Sequence, residues 1–159
     1  MRLLIRLQLL LFLSFAVVAC SSSMHFQKMD DAQIQTLPST GHAVVLHFWA
    51  TWCEPCRTEI PELNRLHNKH PKVEFIAINL DDVENQGAIE PFLKKYPIEF
   101  KVVLRSGRDF QAMAQSFDPA WKGGVPATFV FEDGKRIFSK IGATDAKELD
   151  DVFQHIGQP

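Results

Sequence analysis

The sequence has no marked excess of charge of either sign. Its 17 Lys and Arg residues nearly balance 19 Asp and Glu residues, for a formal net charge of −2, which excludes the strongly basic nucleic-acid-binding domains. It is not poor in apolar residues either: 46% are hydrophobic and 23% charged, as in ordinary globular proteins rather than disordered ones. It contains no internal repeat, and its length of 159 residues predicts one domain.

Cysteine is scarce, with three residues in the chain. An odd number in an exported protein leaves one thiol to be explained. Cys53 and Cys56 form a C-x-x-C pair, whereas Cys20 stands alone near the N-terminus. In an oxidising compartment the pair would default to a disulfide, and a reductant would have to be supplied for reductase activity.

The first nineteen residues are typical of a secretory signal peptide. Arg2 and Arg6 provide a basic start, and an almost unbroken apolar run from Leu7 to Val18 follows. The run is shorter than the roughly 20 apolar residues that a permanent membrane span needs. We therefore expect this segment to be absent from the folded domain.

The residues Val17-Val18-Ala19-Cys20 resemble the lipobox of bacterial lipoproteins. In that family the cysteine is lipidated on sulfur and becomes the mature N-terminus, so the resemblance implies a lipid anchor at Cys20. A plain signal peptide cleaved near residues 21–23 is the alternative. By the family's sorting habits, Ser21 after the cysteine favours the outer membrane of a Gram-negative cell. The predicted organisation is a lipoprotein signal peptide at 1–19, a lipidated N-terminus and tether at 20–41, and a folded domain at 42–159.

The stretch from Val44 to Pro61, VVLHFWATWCEPCRTEIP, joins a strand to a helix. Its β-branched and aromatic start is typical of a buried strand, and apolar residues at helical spacing follow Cys56. The two sulfurs therefore lie where a strand ends and a helix begins. On a helix, Cys53 and Cys56 share a face and can close a disulfide. The free N–H groups of the first turn favour a thiolate at Cys53.

This stretch resembles the thioredoxin superfamily, and within it the extracytoplasmic TlpA/ResA-like thiol-disulfide oxidoreductases. The resemblance is carried by residues 48–56, FWATWCEPC, and by Glu59 and Pro61. It implies an α/β thioredoxin-like fold with a central mixed sheet flanked by helices. Residues 81–107 match the central insertion that distinguishes the TlpA/ResA-like and peroxiredoxin-like branches from plain thioredoxin.

The rest of the chain alternates strand-like and helix-like patterns, which indicates a parallel core with covered faces. The active-site helix should end near His70. Beyond it, the predicted strands are 73–80, 100–104, 127–131 and 136–141, and the predicted helices are 88–96, 109–117 and 145–156.

A second functional stretch is residues 123–129, GGVPATF. An X-Pro bond before a strand is a candidate cis peptide. In the thioredoxin fold a cis-proline at this place faces the C-x-x-C pair, and the preceding residue's backbone pairs with the substrate chain. The resemblance therefore implies that Val125 and Pro126 bind substrate, together with Trp52 beside the cysteines. Trp121 and Lys122 are candidates for an exposed contact loop.

Cys53 is the candidate nucleophile because it comes first in the helix, where its thiolate is stabilised and exposed. Cys56 is the candidate resolving thiol that releases the client from a mixed disulfide. Glu54 opposes thiolate formation through its like charge. We therefore expect only partial activation of Cys53 and a reducing rather than a strongly oxidising couple.

Two titratable residues are candidates for proton transfer at the sulfurs. His47 occupies a position where thioredoxin has a buried acid and the TlpA-like branch commonly an amide or other polar residue. It is either a general base for Cys56 or a core histidine hydrogen-bonded to backbone. Glu59 matches the acidic residue that ResA-like proteins place near the sulfurs, and its alternative is a solvated helix glutamate.

The resulting hypothesis is a lipid-anchored reductase of extracytoplasmic protein disulfides, facing the periplasm. Its electrons would come from a membrane thiol transporter of the DsbD/CcdA type, and it would need no cofactor, metal or nucleic acid. A thiol peroxidase of the peroxiredoxin-like branch is one alternative, since Thr51 lies two residues before Cys53. The other is a copper chaperone like the Sco proteins, although those use a C-x-x-x-C spacing that is one residue longer.

Overall fold

The computed structural model describes residues 26–39 and 41–157. They form six strands and five helices, joined in two places by short 3₁₀ segments (Leu37–Ser39 and Val83–Ala88). In chain order the elements are β1 (Gln27–Met29), α1 (Asp31–Thr36), β2 (Val44–Trp49), α2 (Glu54–Lys69), β3 (Glu74–Asn79), α3 (Ile89–Lys95), β4 (Lys101–Arg105), α4 (Phe110–Phe117), β5 (Ala127–Glu132), β6 (Lys135–Ile141) and α5 (Ala146–Gln154). The predicted signal peptide and Cys20 lie outside the described residues.

The strands form one mixed sheet in the order β1-β4-β3-β2-β5-β6. β1, β4, β3 and β2 run parallel, whereas β5 is antiparallel to β2 and β6 is antiparallel to β5. The predicted α/β fold with a central mixed sheet is confirmed. β2 is interior to the sheet and buried at all six positions, which explains why its sequence is apolar on both faces.

Alternate residues of β2 point to opposite faces of the sheet. Val45 and Trp49 join a core shared with α2, α3 and α5, whereas Leu46 and Phe48 join a core shared with α1 and α4. His47 has the parity of Val45 and Trp49, so it points toward α2. The active-site helix and the one polar position of β2 therefore meet on the same side of the sheet.

The N-terminal segment is part of the sheet. Met29 is 8% exposed and Ile34 fully buried, and β1 pairs with β4. The Asp31 carboxylate accepts two hydrogen bonds from Arg105, at 2.6 and 3.0 Å, and one from the Asp109 N–H at 2.7 Å. The folded domain therefore begins before residue 42, within the range predicted to be a tether. Among the described residues, none of the helices has the length and apolar character to cross a membrane.

Candidate redox-active site

Cys53 and Cys56 are joined by a disulfide at the start of α2, with their Cα atoms 5.3 Å apart. Cys53 is the N-cap of the helix, and its sulfur accepts a hydrogen bond from the Cys56 N–H at 3.2 Å. A first-turn N–H directed at this sulfur is the interaction that stabilises a thiolate there. The expectation that Cys53 is exposed is wrong for this oxidised form, since it is 3% exposed and Cys56 is fully buried.

Trp52 is an exposed large hydrophobic residue in this region, with 68% of its surface accessible. It lies in the turn between β2 and α2, directly before Cys53. Trp49, at the end of β2, is 1% exposed and packs on Phe92 at a ring-centroid distance of 5.0 Å. The two tryptophans therefore differ in role: one is core, and the other is surface beside the disulfide.

The Val125–Pro126 peptide bond is cis. β5 starts at the next residue, and Ala127 lies across from Phe48 near the end of β2. This register places Val125 and Pro126 at the edge of the sheet where the disulfide also lies. The Pro126 carbonyl accepts a hydrogen bond from the Gly142 N–H at 2.8 Å, which ties this loop to the end of β6.

The expectation of an exposed loop at Trp121 is wrong. Trp121 is fully buried, and its ring lies 4.6 Å from that of Phe48. Its Nε1–H donates to the Gly124 carbonyl at 2.8 Å. The buried tryptophan therefore holds the loop before Pro126 in place from its inner side. Lys122 is exposed, as expected.

His47, which is buried, and Glu59 and Thr144, which are half-buried, form a polar group that we name the histidine cluster. His47 Nδ1 lies 3.0 Å from the hydroxyl oxygen of Thr128, the residue that pairs with it on β5. Its Nε2 lies 3.9 Å from Glu59 Oε2. The other Glu59 oxygen accepts a hydrogen bond from the Thr144 N–H. Among the described residues, nothing hydrogen-bonds the buried atoms His47 Nε2, Glu59 Oε2 and Thr144 Oγ1.

Burial shifts both titratable groups of the histidine cluster toward their neutral forms. Desolvation lowers the pKa of His47 from 6.5 to about 4. Desolvation raises the pKa of Glu59, while the hydrogen bond from the Thr144 backbone lowers it by a smaller amount. At neutral pH the imidazole is therefore uncharged. The hydrogen-bonding partner expected for a core histidine was backbone, whereas the partner here is a side chain.

A second polar group, which we name the carboxylate clamp, consists of the half-buried Thr51 and the buried Asn79 and Asp81. The Thr51 N–H and hydroxyl donate to the two Asp81 oxygens at 2.9 and 2.8 Å. The Asn79 amide donates to the same carboxylate at 2.6 Å and accepts from the Asp81 N–H at 3.1 Å. Asp81 was missed as a site residue. The available signal was its place after a strand neighbouring β2, because the carboxyl ends of parallel strands meet at one edge.

Comparison with known proteins assigns this chain to a family. Residues 20–139 match the model of the AhpC/TSA family. The chain belongs to the AhpC/TSA family. It is 30% identical over 131 residues to a thiol-disulfide oxidoreductase ResA of Bacillus cereus, covering 80% of this chain and 71% of that protein. It is also 30% identical over 131 residues to the sporulation thiol-disulfide oxidoreductase A of Bacillus subtilis, covering 80% and 76%.

The fold of this AhpC/TSA member agrees with these relatives. The crystal structure of StoA from Bacillus subtilis superposes with a TM-score of 0.56 at 29% identity, over 72% of this chain and 84% of that one. The predicted membership of the TlpA/ResA-like branch is confirmed. Together with the Cys53–Cys56 disulfide, it identifies the protein as an enzyme of thiol-disulfide exchange.

Proposed function

We propose that this oxidoreductase works as a reductase of protein disulfides outside the cytoplasm. The observation that carries the proposal is the Cys53–Cys56 disulfide at the N-terminus of α2, with a helical N–H on the Cys53 sulfur and the exposed Trp52 beside it. A thiolate in this place is stabilised by the unpaired N–H groups of the helix. Cys53 is therefore the attacking sulfur, and Cys56, which is fully buried, is the resolving one.

The reaction consists of two exchanges that conserve electrons and atoms. The Cys53 thiolate attacks one sulfur of a client disulfide, the client S–S bond breaks, and the departing client thiolate takes a proton. Cys56 then attacks Cys53 in the mixed disulfide, closes the S–S bond observed here and releases the second client thiol. The client gains two electrons and two protons, and the enzyme must be reduced again before the next cycle.

Glu59 is the group that exchanges the proton of Cys56 in this proposal. It follows Cys56 by three residues on α2, so the two side chains lie on one face of the helix. Its pKa is raised by burial, which brings it closer to the pH at which the reaction runs. His47 remains neutral and supports Glu59 as a neighbour, because an imidazole with a pKa of about 4 is a weak base.

The client chain would lie over Trp52 and pair with the backbone of Val125, beside the cis-Pro126. The arrangement of these three residues at the disulfide end of the sheet supports this binding mode. Clients are disulfide-bonded polypeptides of the cell envelope, reduced on its periplasmic side.

Electrons come from a membrane thiol transporter of the DsbD/CcdA type, and a lipid on Cys20 holds the enzyme to the membrane. The lipobox-like sequence before Cys20 supports the anchor. The outer-membrane location predicted from Ser21 finds no support among the relatives and is not part of the proposal.

Disulfide exchange is favoured over peroxide reduction by the surroundings of Thr51. A peroxidase would need this hydroxyl to face a peroxide beside Cys53. Here the hydroxyl donates a hydrogen bond to an Asp81 oxygen at 2.8 Å instead. The partner cysteine three residues on, already bonded to Cys53, also suits exchange.

The test is the redox equilibrium of Cys53 and Cys56 in glutathione buffers, measured on the full chain with Cys20→Ser so that two thiols titrate. We expect a potential near or below roughly −270 mV, the value of thioredoxin. A potential near roughly −120 mV would make the protein a disulfide donor and overturn the proposed direction. The absence of a reversible couple, with stoichiometric copper binding by the reduced protein, would replace the proposal with the copper-chaperone alternative.

A further inference from the structure

The carboxylate clamp lies directly beside the turn that carries the attacking sulfur. Asp81 is 4% exposed, and each of its oxygens accepts a hydrogen bond from the single residue Thr51. Asn79, itself fully buried, donates to Oδ2 of the same carboxylate. Two bonds from one residue to one carboxylate fix that residue's orientation as well as its position. The clamp therefore holds Thr51 in one geometry.

The turn needs such support because the sheet ends just before it. The last β2–β3 hydrogen bond runs from the Leu80 N–H to the Trp49 carbonyl at 2.8 Å, and the Cys53 N–H closes the turn on the Ala50 carbonyl at 3.1 Å. Between these two bonds, the Thr51 N–H donates to the Asp81 side chain instead of to a backbone carbonyl of β3. The Trp52 side chain is 68% exposed and adds little packing.

We propose that Asp81 is a positioning residue for disulfide exchange. Through Thr51 it fixes the direction in which the Cys53 sulfur meets the client sulfur. The inference rests on the proposed role of Cys53 as nucleophile. Attack on an S–S bond depends on approach direction, and a misplacement of about 1 Å can slow a reaction roughly 100-fold.

Two pairs of variants separate this role from a general loss of structure. Asp81→Asn keeps the shape of the side chain but presents an amide donor to groups that are themselves donors. Its control is Asp82→Asn, which removes the same charge from the next residue, an exposed one. In the second pair, Thr51→Val removes the hydroxyl donor, whereas Thr51→Ser keeps it.

Each variant is made in the full chain with Cys20→Ser, reduced in detergent solution, and checked for native circular dichroism. The first measurement is the single-turnover rate with a disulfide-bonded model peptide from pH 5 to 9. The second is the alkylation rate of Cys53 by iodoacetamide over the same range. Iodoacetamide is small and can approach the sulfur from more directions than a polypeptide disulfide, so its rate reports thiolate formation rather than docking direction.

We expect Asp81→Asn and Thr51→Val to lower the high-pH plateau of peptide exchange on the order of 10- to 100-fold. Alkylation should change less than about threefold, and the Asp82→Asn and Thr51→Ser proteins should remain within about twofold of the parent in both assays. The inference is overturned if folded Asp81→Asn and Thr51→Val proteins match their controls, or if exchange and alkylation fall together. If Asp81→Asn does not fold, the Thr51 pair decides. A parent protein that alkylates but never exchanges with the peptide would overturn the proposed function instead.

Discussion

The carboxylate clamp and the histidine cluster are both partly buried polar groups, yet they differ in how completely their polar atoms are hydrogen-bonded. In the clamp, both Asp81 oxygens accept hydrogen bonds. In the histidine cluster, three buried atoms have no hydrogen-bond partner among the described residues. A polar group whose atoms all have hydrogen-bond partners is held in one geometry. A group with unpaired polar atoms still has a free site at which a proton can be accepted or released. The difference separates a scaffold from a titrating site.

The clamp should be the more damaging group to remove. Asp81→Ala leaves the Thr51 and Asn79 donors without their acceptor, and we expect a loss of about 3 kcal/mol in the free energy of unfolding. The control Asp82→Ala changes an exposed residue and should cost less than about 0.5 kcal/mol. Urea unfolding at pH 7 measures both. Equal losses in the two variants would show that the hydrogen bonds of the clamp contribute nothing net.

The histidine cluster should affect the pH dependence of the free energy of unfolding more than its value at neutral pH. The pKa of His47 falls from 6.5 to about 4 on folding, so below pH 6.5 the unfolded chain binds a proton that the folded protein does not. Unfolding free energy should therefore decrease as pH falls from 6.5 to about 4, by up to about 3 kcal/mol from this group. His47→Gln, measured by urea unfolding across this range, should lack that part of the slope. An unchanged slope would contradict the assignment.

Glu59→Gln tests the proton exchange directly. The amide oxygen can still accept from the Thr144 N–H, but the side chain no longer ionises, and we expect disulfide reduction to slow about 100-fold. Because burial raises the pKa of Glu59, its ionisation destabilises the fold as pH rises through that pKa. The variant should lack the decline in unfolding free energy that this ionisation causes above the ordinary glutamate pKa of 4.5. A full rate with Gln would remove Glu59 from the mechanism.

Two threonines provide the smallest and sharpest comparison. Thr51 donates its hydroxyl to a carboxylate, whereas the buried Thr144 hydroxyl has no hydrogen-bond partner among the described residues. Thr51→Val should cost about 1.5 kcal/mol, since hydrogen bonds to charged groups are the stronger ones, and Thr144→Val should be close to neutral. Thermal unfolding of the two variants in parallel measures the difference. Reversed costs would invalidate the distinction between the two groups.

The core of the site could be predicted from sequence because its signals are local. The buried run before the C-x-x-C pair, the helical spacing after it and the X-Pro bond before β5 each lie within a few neighbouring residues. The fold class follows from the same alternation of strands and helices. The predicted bounds of these strands and helices agree with the structure to within two residues for this reason.

The features that were missed depend on residues far apart in the chain. β1 has three residues, of which two are exposed, so it carries no alternating pattern and gains its place only by pairing with β4. Trp121 sits before two glycines and looks like a loop residue, but Phe48 and Phe129 provide its surroundings. Asp81 follows β3, and its partner Thr51 follows β2. Predicting the carboxylate clamp from sequence therefore requires knowing that β2 and β3 are neighbours in the sheet.

If the proposed lipid is attached at Cys20, the incorporation of β1 into the sheet also limits the distance between the enzyme and the bilayer. A tether reaching from Cys20 to residue 41 could extend roughly 70 Å, but the segment from Cys20 to Phe26 could extend only roughly 20 Å. β1 itself lies three strands from β2, a lateral offset of roughly 14 Å. With a lipid on Cys20, the disulfide would therefore stay within a thin layer next to the bilayer. Clients and electron donors would have to meet it within that layer.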